Sequence, residues 1–264
     1  MTDDLAKRLK TAESAAREAG QGALILFRER DTLEVIQKGP QDRVTVADRN
    51  AETLIRKRIA EQFPDDEVLG EEYGQGGGEG AGGDTMWVVD PIDGTDCFVF
   101  GLPMWSISIA WMQGGKAKVG VVYDPVHDEM YTATLDGGTY LNGKPIRASQ
   151  ASEITDGLVG IGHSLRIPRS ETIAALDRLL EMDGIFHRSG SGALSIAWVA
   201  AGRLIAYYEP HINSWDCLAG LLLVTEAGGW TNDFLANDGL LTGNPVMVAA
   251  PGLIDKIKIV GGAT

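Results

Sequence analysis

Trp87-Val88-Val89-Asp90-Pro91-Ile92-Asp93-Gly94-Thr95 carries an apolar strand straight into two carboxylates three residues apart. Pro91 fixes the backbone of the turn, Gly94 permits a tight bend, and Thr95 is a side chain that can begin a helix. Two carboxylates at a strand end can grip one hard cation, with backbone carbonyls as further oxygen ligands. An acidic surface turn followed by a helix cap would spell the same residues, so the segment needs partners before it marks a site.

Two other segments supply partners. Glu71-Glu72 ends the short apolar strand Val68-Leu69-Gly70, and adjacent carboxylates repel until a cation or solvent relieves them. Trp215-Asp216 opens a strongly apolar helix, where Asp216 alone would read as a plain N-cap. Taken together, Glu71, Asp90, Asp93 and Asp216 bring four carboxylates from three remote segments to strand ends and a helix start. The chain already carries a net charge of −14, so such a cluster repels itself unless it holds metal. All-oxygen donors suit Mg²⁺ or Mn²⁺ and argue against zinc or copper.

Around these segments the chain alternates helix and strand. Leu5, Leu9, Ala12, Ala16, Ala19 and Ala23 recur at steps of three and four, which predicts an amphipathic helix over about 3–28. Ala51, Leu54, Ile55, Ile59 and Phe63 predict a second, stopped by Pro64. Strands are expected at Met86–Val89, Ser106–Trp111, Val119–Tyr123, after a Gly114-Gly115 hairpin turn, and Met130–Ala133. Gly74 to Gly83 reads as a mobile Gly-rich loop. The last third alternates: strand Leu158–Ile161, helix Arg169–Met182, helix Ala193–Ala201, strand Leu204–Tyr208, helix Asp216–Ala227, strand Val246–Ala250 and a helix from Leu253. Helices first, an extended β block in the middle and an alternating end suggest layered α and β structure with no long linker.

Composition narrows the function classes. Apolar residues make up 44% and charged residues 23% of 264, which excludes global disorder. The acidic balance repels phosphate backbones and disfavours nucleic-acid or anionic-membrane binding. Trp and Tyr residues have no basic stripe beside them, as a base-stacking platform would. Two cysteines make no disulfide framework, the N-terminus has no signal-peptide pattern, and the apolar run Leu218–Val224 is too short to span a membrane. A cytoplasmic location is expected. Cys97 and Cys217 each follow a site segment, either as small packing residues or as thiols made acidic by helix N-termini. Gly78-x-Gly80-x-x-Gly83 matches a dinucleotide fingerprint but precedes a strand instead of opening a helix. His127, His163, His187 and His211 lack zinc spacing, and His211 stands near Glu209, where it reads as a surface residue or a substrate contact.

Gly70-Glu71-Glu72, then Asp90-Pro91-Ile92-Asp93-Gly94-Thr95, then Trp215-Asp216 with an apolar helix ending Glu226-Ala227-Gly228-Gly229 resemble the inositol monophosphatase family of Mg²⁺-dependent, lithium-sensitive phosphatases. Asp42–Asp48, Gly120–Pro125, Leu141-Asn142-Gly143 and Gly190–Leu194 extend the likeness in the family's order from Lys38 to Gly229. The resemblance implies one αβαβα layered domain over residues 1–264, with a metal-binding α+β part to about residue 150 and an α/β part from about 151. It implies a homodimer, and two or three Mg²⁺ per active site, with Mn²⁺ as an alternative. Glu71, Asp90 and the carbonyl of Ile92 would hold a first metal, and Asp90, Asp93 and Asp216 a second. Asp48, Thr95 and Glu71 would be catalytic, with Thr95 and Asp48 orienting and deprotonating the attacking water. Gly94, Thr95, Ser191, Gly192, Glu209 and Asp216 would contact substrate, Glu209 accepting hydrogen bonds from its hydroxyls.

The implied activity is hydrolysis of a small polyol or sugar phosphate, with myo-inositol 1-phosphate the first choice. Histidinol phosphate is the nearest alternative, then fructose 1,6-bisphosphate and adenosine 3′,5′-bisphosphate. A regulatory, RNA-polymerase-associated binding protein is the alternative of another class. Asp96-Cys97-Phe98 stands where the family commonly has Thr-Asn-Phe, and Gly192 where Ala is common; both changes lie beside the expected substrate pocket.

Overall fold

The computed structural model describes residues 2–30, 35–39, 42–77 and 84–262. Helix α1 (Asp3–Arg28) starts at Thr2, whose hydroxyl accepts from the Leu5 amide, and Asp3 and Asp4 sit in its positive first turn. Strands β1 (Val35–Gly39) and β2 (Asp42–Thr45) pair antiparallel. Helix α2 (Val46–Gln62) begins earlier than the apolar spacing suggests, because Thr45 and Asp48 close a capping box ahead of it. Strands β3 (Glu67–Gly70), β4 (Gly74–Gly76) and β5 (Thr85–Asp93) follow, then α3 (Thr95–Phe100) and the meander β6 (Ser106–Gln113), β7 (Lys116–Asp124), β8 (Glu129–Thr134), β9 (Gly138–Leu141) and β10 (Lys144–Ile146). The remainder comprises β11 (Leu158–Ile161), α4 (Arg169–Glu181), β12 (Ile185–His187), α5 (Gly192–Ala200), β13 (Ala206–Ile212), α6 (Ser214–Glu226), β14 (Trp230–Thr231), α7 (Gly239–Thr242), β15 (Asn244–Ala249) and α8 (Ile254–Val260).

The strands form an eight-stranded sheet, ordered β10-β9-β8-β7-β6-β5-β3-β4, and a five-stranded sheet, ordered β12-β11-β13-β15-β14. Helices α1 and α2 cover one face of the larger sheet, α5 and α6 lie between the sheets, and α4 and α8 cover the far face of the smaller one. This is the expected αβαβα sandwich. The middle layer explains why α6 is apolar all round: a helix packed on both sides has no polar face to keep. Leu223 and Val224 are fully buried there, each worth about 1.5–3 kcal/mol.

Strand β6 faces buried layers on both sides. Ile107, Ile109 and Trp111 join the core under α1 and α2, while Ala110 and Met112 face α5 and α6. Small residues bring α6 close: a Cβ at Gly120 on β7 would lie 2.7 Å from the Ala219 carbonyl oxygen. Ser108 donates to the Trp215 carbonyl at 2.8 Å and so pins the start of α6 against the large sheet.

Two expectations are corrected. Gly74–Gly76, expected within a mobile loop, is strand β4, paired antiparallel with β3; the rest of that glycine-rich stretch, residues 78–83, lies outside the described residues. The strand expected over Leu204–Tyr208 instead runs from Ala206 to Ile212, which places Glu209 inside it. Strands β9, β10, β12 and β14 were not expected; each is two to four residues long, too short to show a period.

Candidate active site

A kink in β5 builds the site. Asp90 pairs with Ser108 and Asp93 with Ser106, so three steps on β5 oppose two on β6. The extra residue is a bulge at Pro91, which has no N–H to give the ladder. Residues three apart on a regular strand point to opposite faces; the bulge turns Asp90 and Asp93 to the same side. The Asp90 carboxylate accepts from the Ile92 amide at 2.9 Å and fixes the turn. Gly94 then takes φ +94°, a left-handed conformation, with the Met104 carbonyl 2.9 Å from where a Cβ would be.

Asp216 reaches the same place from the first turn of α6. Its carboxylate accepts from the Asn213 amide at 3.1 Å, so the N-cap is Asn213 and not Asp216, which closes a capping box from the first turn and serves the cluster as well. One carboxylate oxygen from each of Asp90, Asp93 and Asp216 lies within 4.8 Å of the others. Asp93 also receives the N-terminus of α5. The Ser191 hydroxyl and the Ala193 amide (2.8 Å) donate to one of its oxygens, and the Gly192 amide (3.3 Å) to the other.

The electrostatics follow from this crowding. Burial pushes the Asp93 carboxyl up to about 7, with Asp216 adding to the rise and its three donors opposing it. Burial and then neighbouring carboxylates push Asp90 and Glu71 well above the carboxylate range, and burial also raises Asp216. Among the described residues no Lys or Arg is hydrogen-bonded to Asp90, Asp93 or Asp216. An all-oxygen set with excess negative charge and no hydrogen-bonded cation fits a hard divalent ion. Glu71 stands outside the three-carboxylate cluster but lines the same cavity, and the charge of Asp216 reaches it.

Beside the cluster stands a second pair. The Thr95 hydroxyl lies 3.3 Å from Asp48 and 3.1 Å from the Ile92 carbonyl oxygen. The other Asp48 oxygen accepts from the Thr45 amide (2.7 Å) and hydroxyl (2.6 Å), which orients the carboxylate. Burial lifts the Asp48 carboxyl to about 6. A hydroxyl backed by a carboxylate of that kind can take a proton from water and pass it on.

These groups open into a cavity of about 630 Å³ whose lining includes Glu71, Asp90, Asp93, Thr95, Glu209 and Asp216. Gly94, Ser191, Gly192 and Ile92 line it too, so every expected site residue except Asp48 faces it, and Asp48 stands behind Thr95. The Glu209 carboxyl, raised to about 8 chiefly by burial, accepts from the Tyr207 hydroxyl at 2.5 Å.

Several groups escape sequence reading. Ser191 acts through its side chain, which caps α5 (3.1 Å to the Leu194 amide) while holding Asp93. Buried Glu52 accepts from the Glu72 and Tyr73 amides and shapes the Glu71 turn from α2. Arg166 and Arg188 line the cavity from the segments after β11 and β12. Their only sequence signal was basic residues inside an acidic chain. Cys97 and Cys217 are both buried, and burial is the largest influence pushing their thiols up, which favours the packing reading of the two. His211 lines the cavity with Nε2 3.1 Å from the Thr242 carbonyl oxygen. No helix among the described residues is long and apolar enough to cross a membrane.

Residues 4–258 match the model of the inositol monophosphatase family. The Nus factor SuhB of Haemophilus influenzae is 38% identical over 251 residues, covering 94% of this chain and 92% of that protein. The extragenic suppressor protein suhB of Bartonella henselae superposes with a TM-score of 0.89 at 30% identity, over 96% of this chain and 98% of that one. The inositol monophosphatase from Anabaena (Nostoc) gives a TM-score of 0.84 at 29% identity, over 97% and 96% of the two chains. With the motif order, the layered sandwich and the carboxylate cluster, these likenesses make the chain a member of the inositol monophosphatase family.

Proposed function

We propose that the chain is a Mg²⁺-dependent phosphomonoesterase of small polyol or sugar phosphates, with myo-inositol 1-phosphate the first substrate to try. The observation that carries this reading is the cluster of buried Asp90 and Asp93 with half-buried Asp216, hydrogen-bonded to no Lys or Arg among the described residues, on the floor of an open cavity. Asp90, Asp93 and Asp216 would hold one cation, and Glu71, Asp90 and the Ile92 carbonyl another. Divalent cations supply charge neutralisation on the phosphoryl oxygens and acidify water.

The chain's own groups do the rest. Thr95 orients the attacking water, and Asp48 receives the proton through the Thr95 hydroxyl. Glu71 shares this proton-handling role from the other side of Asp90. Backbone amides of Gly94 and Thr95 at the start of α3 face the phosphoryl oxygens. Gly192, with Ser191 beneath it, borders the leaving group. Glu209 offers its free oxygen to a substrate hydroxyl, the other being taken by Tyr207. The test is phosphate release from myo-inositol 1-phosphate and histidinol phosphate with Mg²⁺ and with EDTA. Mg²⁺-dependent release that disappears in Asp93→Asn supports the reading; release of equal rate in EDTA refutes it.

The name Nus factor carried by the Haemophilus relative favours a second reading, a binding role in transcription. It is separable from catalysis: a chain with Asp93→Asn would keep it. We further propose a homodimer and a cytoplasmic location.

A further inference from the structure

One face of α2 carries three charged side chains at steps of four: Asp48, Glu52 and Arg56. Asp48 stands behind Thr95 at the start of the helix. One turn on, Glu52 is fully buried, and its carboxylate accepts from the Glu72 amide at 2.7 Å and the Tyr73 amide at 3.3 Å. Glu71, Glu72 and Tyr73 form the turn between β3 and β4, so Glu52 supplies the acceptors that two turn amides need. One turn further, Arg56 pairs with Glu52 at 2.8 Å and offsets its buried charge. The Arg56 guanidinium also donates to the carbonyls of Val68 on β3 and of Gly74 and Gly76 on β4. On the other side of the turn, the Glu71 amide donates to the Val89 carbonyl at 3.2 Å, one residue before Asp90. The charge of Asp48 is felt at Glu71 and that of Glu72 at Asp48, which sets the turn close to the first turn of α2.

Gly70 immediately precedes this turn. It lies in β3 and is not among the glycines at positive φ, so no backbone strain calls for glycine there. A Cβ at Gly70 would overlap the Glu52 carboxylate, and the three atoms nearest to it all belong to that group. Glycine at this position is room for Glu52. The buried pair of Arg8 and Asp66 lines no part of the cavity. Glu52 and Arg56 instead join the helix that bears Asp48 to the turn that bears Glu71.

We propose that Glu52 and Arg56 are positioning residues of the active site: they hold the Glu71 turn in register with Asp48, so that Glu71 meets a cation shared with Asp90 while Asp48 meets Thr95. This rests on the phosphomonoesterase reading and adds to it the support behind one proposed metal ligand. Glu71 is the residue next to the amide that Glu52 binds, so a shift of the Glu52 carboxylate moves the turn and carries Glu71 with it. Groups that orient a metal ligand from behind typically set affinity or activity by about 10- to 100-fold. Gly70→Ala is the selective probe, since it displaces the Glu52 carboxylate and removes no charge.

Mg²⁺ affinity is measured by calorimetry on the EDTA-treated chain, beside kcat and KM for myo-inositol 1-phosphate and thermal unfolding. The variants are Gly70→Ala, Glu52→Gln, the two combined, Arg56→Lys and, as a control on the same helix, Arg58→Gln, which loses contacts to Glu18 and Glu61 only. Gly70→Ala and Glu52→Gln are each expected to weaken Mg²⁺ binding about tenfold and to lower kcat about tenfold per folded molecule, with KM within about twofold of wild type. The double variant should lose little more than the worse single one, because both act through the same carboxylate. Arg56→Lys keeps the charge but not the planar fork, and should fall between these variants and wild type. Arg58→Gln should match wild type. Unchanged affinity and kcat in Gly70→Ala or in Glu52→Gln, or losses that add in the double variant, overturn the proposal, even where stability falls. Where Glu52→Gln does not fold, Gly70→Ala and Arg56→Lys decide between these outcomes. Mg²⁺ affinity that follows the variants, with no phosphate release from any substrate, would leave the positioning role standing and sink the phosphatase reading. Mg²⁺-dependent release that the variants leave untouched would do the opposite.

Discussion

A lone buried carboxylate, Asp66, and a cluster around buried Asp90 and Asp93 sit at opposite ends of the β3–β5 pair, and they are treated in opposite ways. Before β3, Asp66 is enclosed by donors: Arg8, the Trp87 indole at 2.8 Å and the Thr85 hydroxyl at 2.9 Å. Arg8 is in turn stacked over Phe63 and Trp111, 4.1 and 3.9 Å from their ring centres. Beyond β3 and β5, Asp90, Asp93 and Asp216 have backbone and hydroxyl donors but no bonded cation. A buried carboxylate with its own arginine is finished structure. One buried among its own kind is strained until something positive arrives. The difference identifies the site without reference to motif or likeness.

The largest effect expected from this contrast is a double dissociation. Asp93→Asn keeps the shape of the bulge and removes one anionic ligand, so kcat should fall by about three orders of magnitude with little loss of thermal stability. Asp66→Asn should leave buried Arg8 with only the exposed Asp4 as counter-charge, at a cost of up to about 3–5 kcal/mol, with near-normal turnover per folded molecule. Denaturant unfolding and initial rates on both variants check this. Matching stability losses would erase the distinction between the two groups.

Next in size is Thr95→Ala. Losing the hydroxyl that links water to Asp48 should cut kcat by about 10²-fold with a small change in KM, and Thr95→Ser should recover much of it. A change confined to KM would make Thr95 a helix-start residue only. Smaller again is Glu209→Gln, which should shift the ratio of kcat/KM between neutral and cationic leaving groups several-fold, leaving Mg²⁺ affinity as in wild type. A uniform loss over all substrates would assign Glu209 to structure.

The smallest effect tests a paired carboxylate far from the cavity. Arg203 grips both oxygens of Glu129 at 2.6 Å and holds its carboxyl below the usual value of 4.5. A depressed carboxyl stabilises the fold above its unfolded pKa and ceases to do so as pH falls through the folded value. The stability gap between wild type and Glu129→Gln should therefore be full at pH 7 and shrink below about pH 4.5. A gap that stays constant down to pH 3 would mean packing, not charge, is responsible.

Much of the fold was legible because its segments state their own period. The alanine stripe of α1, the Gly114-Gly115 hairpin and the all-apolar α6 each carry a local signal that the sandwich keeps. The ends of β13 were not legible, since its pairing with β15 carries it past the apolar residues to Ile212. The carboxylates of the site were readable because Asp-Pro-Ile-Asp-Gly-Thr is a continuous segment. The supports were not, because they come from afar: Ser191 meets Asp93, and Glu52 meets the Glu72 amide, only through tertiary packing. The bulge that turns Asp90 and Asp93 to one side also belongs to the β5–β6 pairing and not to the spacing alone. Cys97 and Cys217 show the converse, positions beside a site that are buried and whose thiols burial pushes up.

The central claim is that the unpaired cluster is a divalent-cation site. Calorimetric titration of the EDTA-treated chain with Mg²⁺, run in parallel on Asp93→Asn and Asp66→Asn, tests it most directly. The account predicts saturable binding in wild type, the same binding in the folded fraction of Asp66→Asn, and its loss in Asp93→Asn. Binding that survives Asp93→Asn undiminished, or that is absent from wild type, would contradict it.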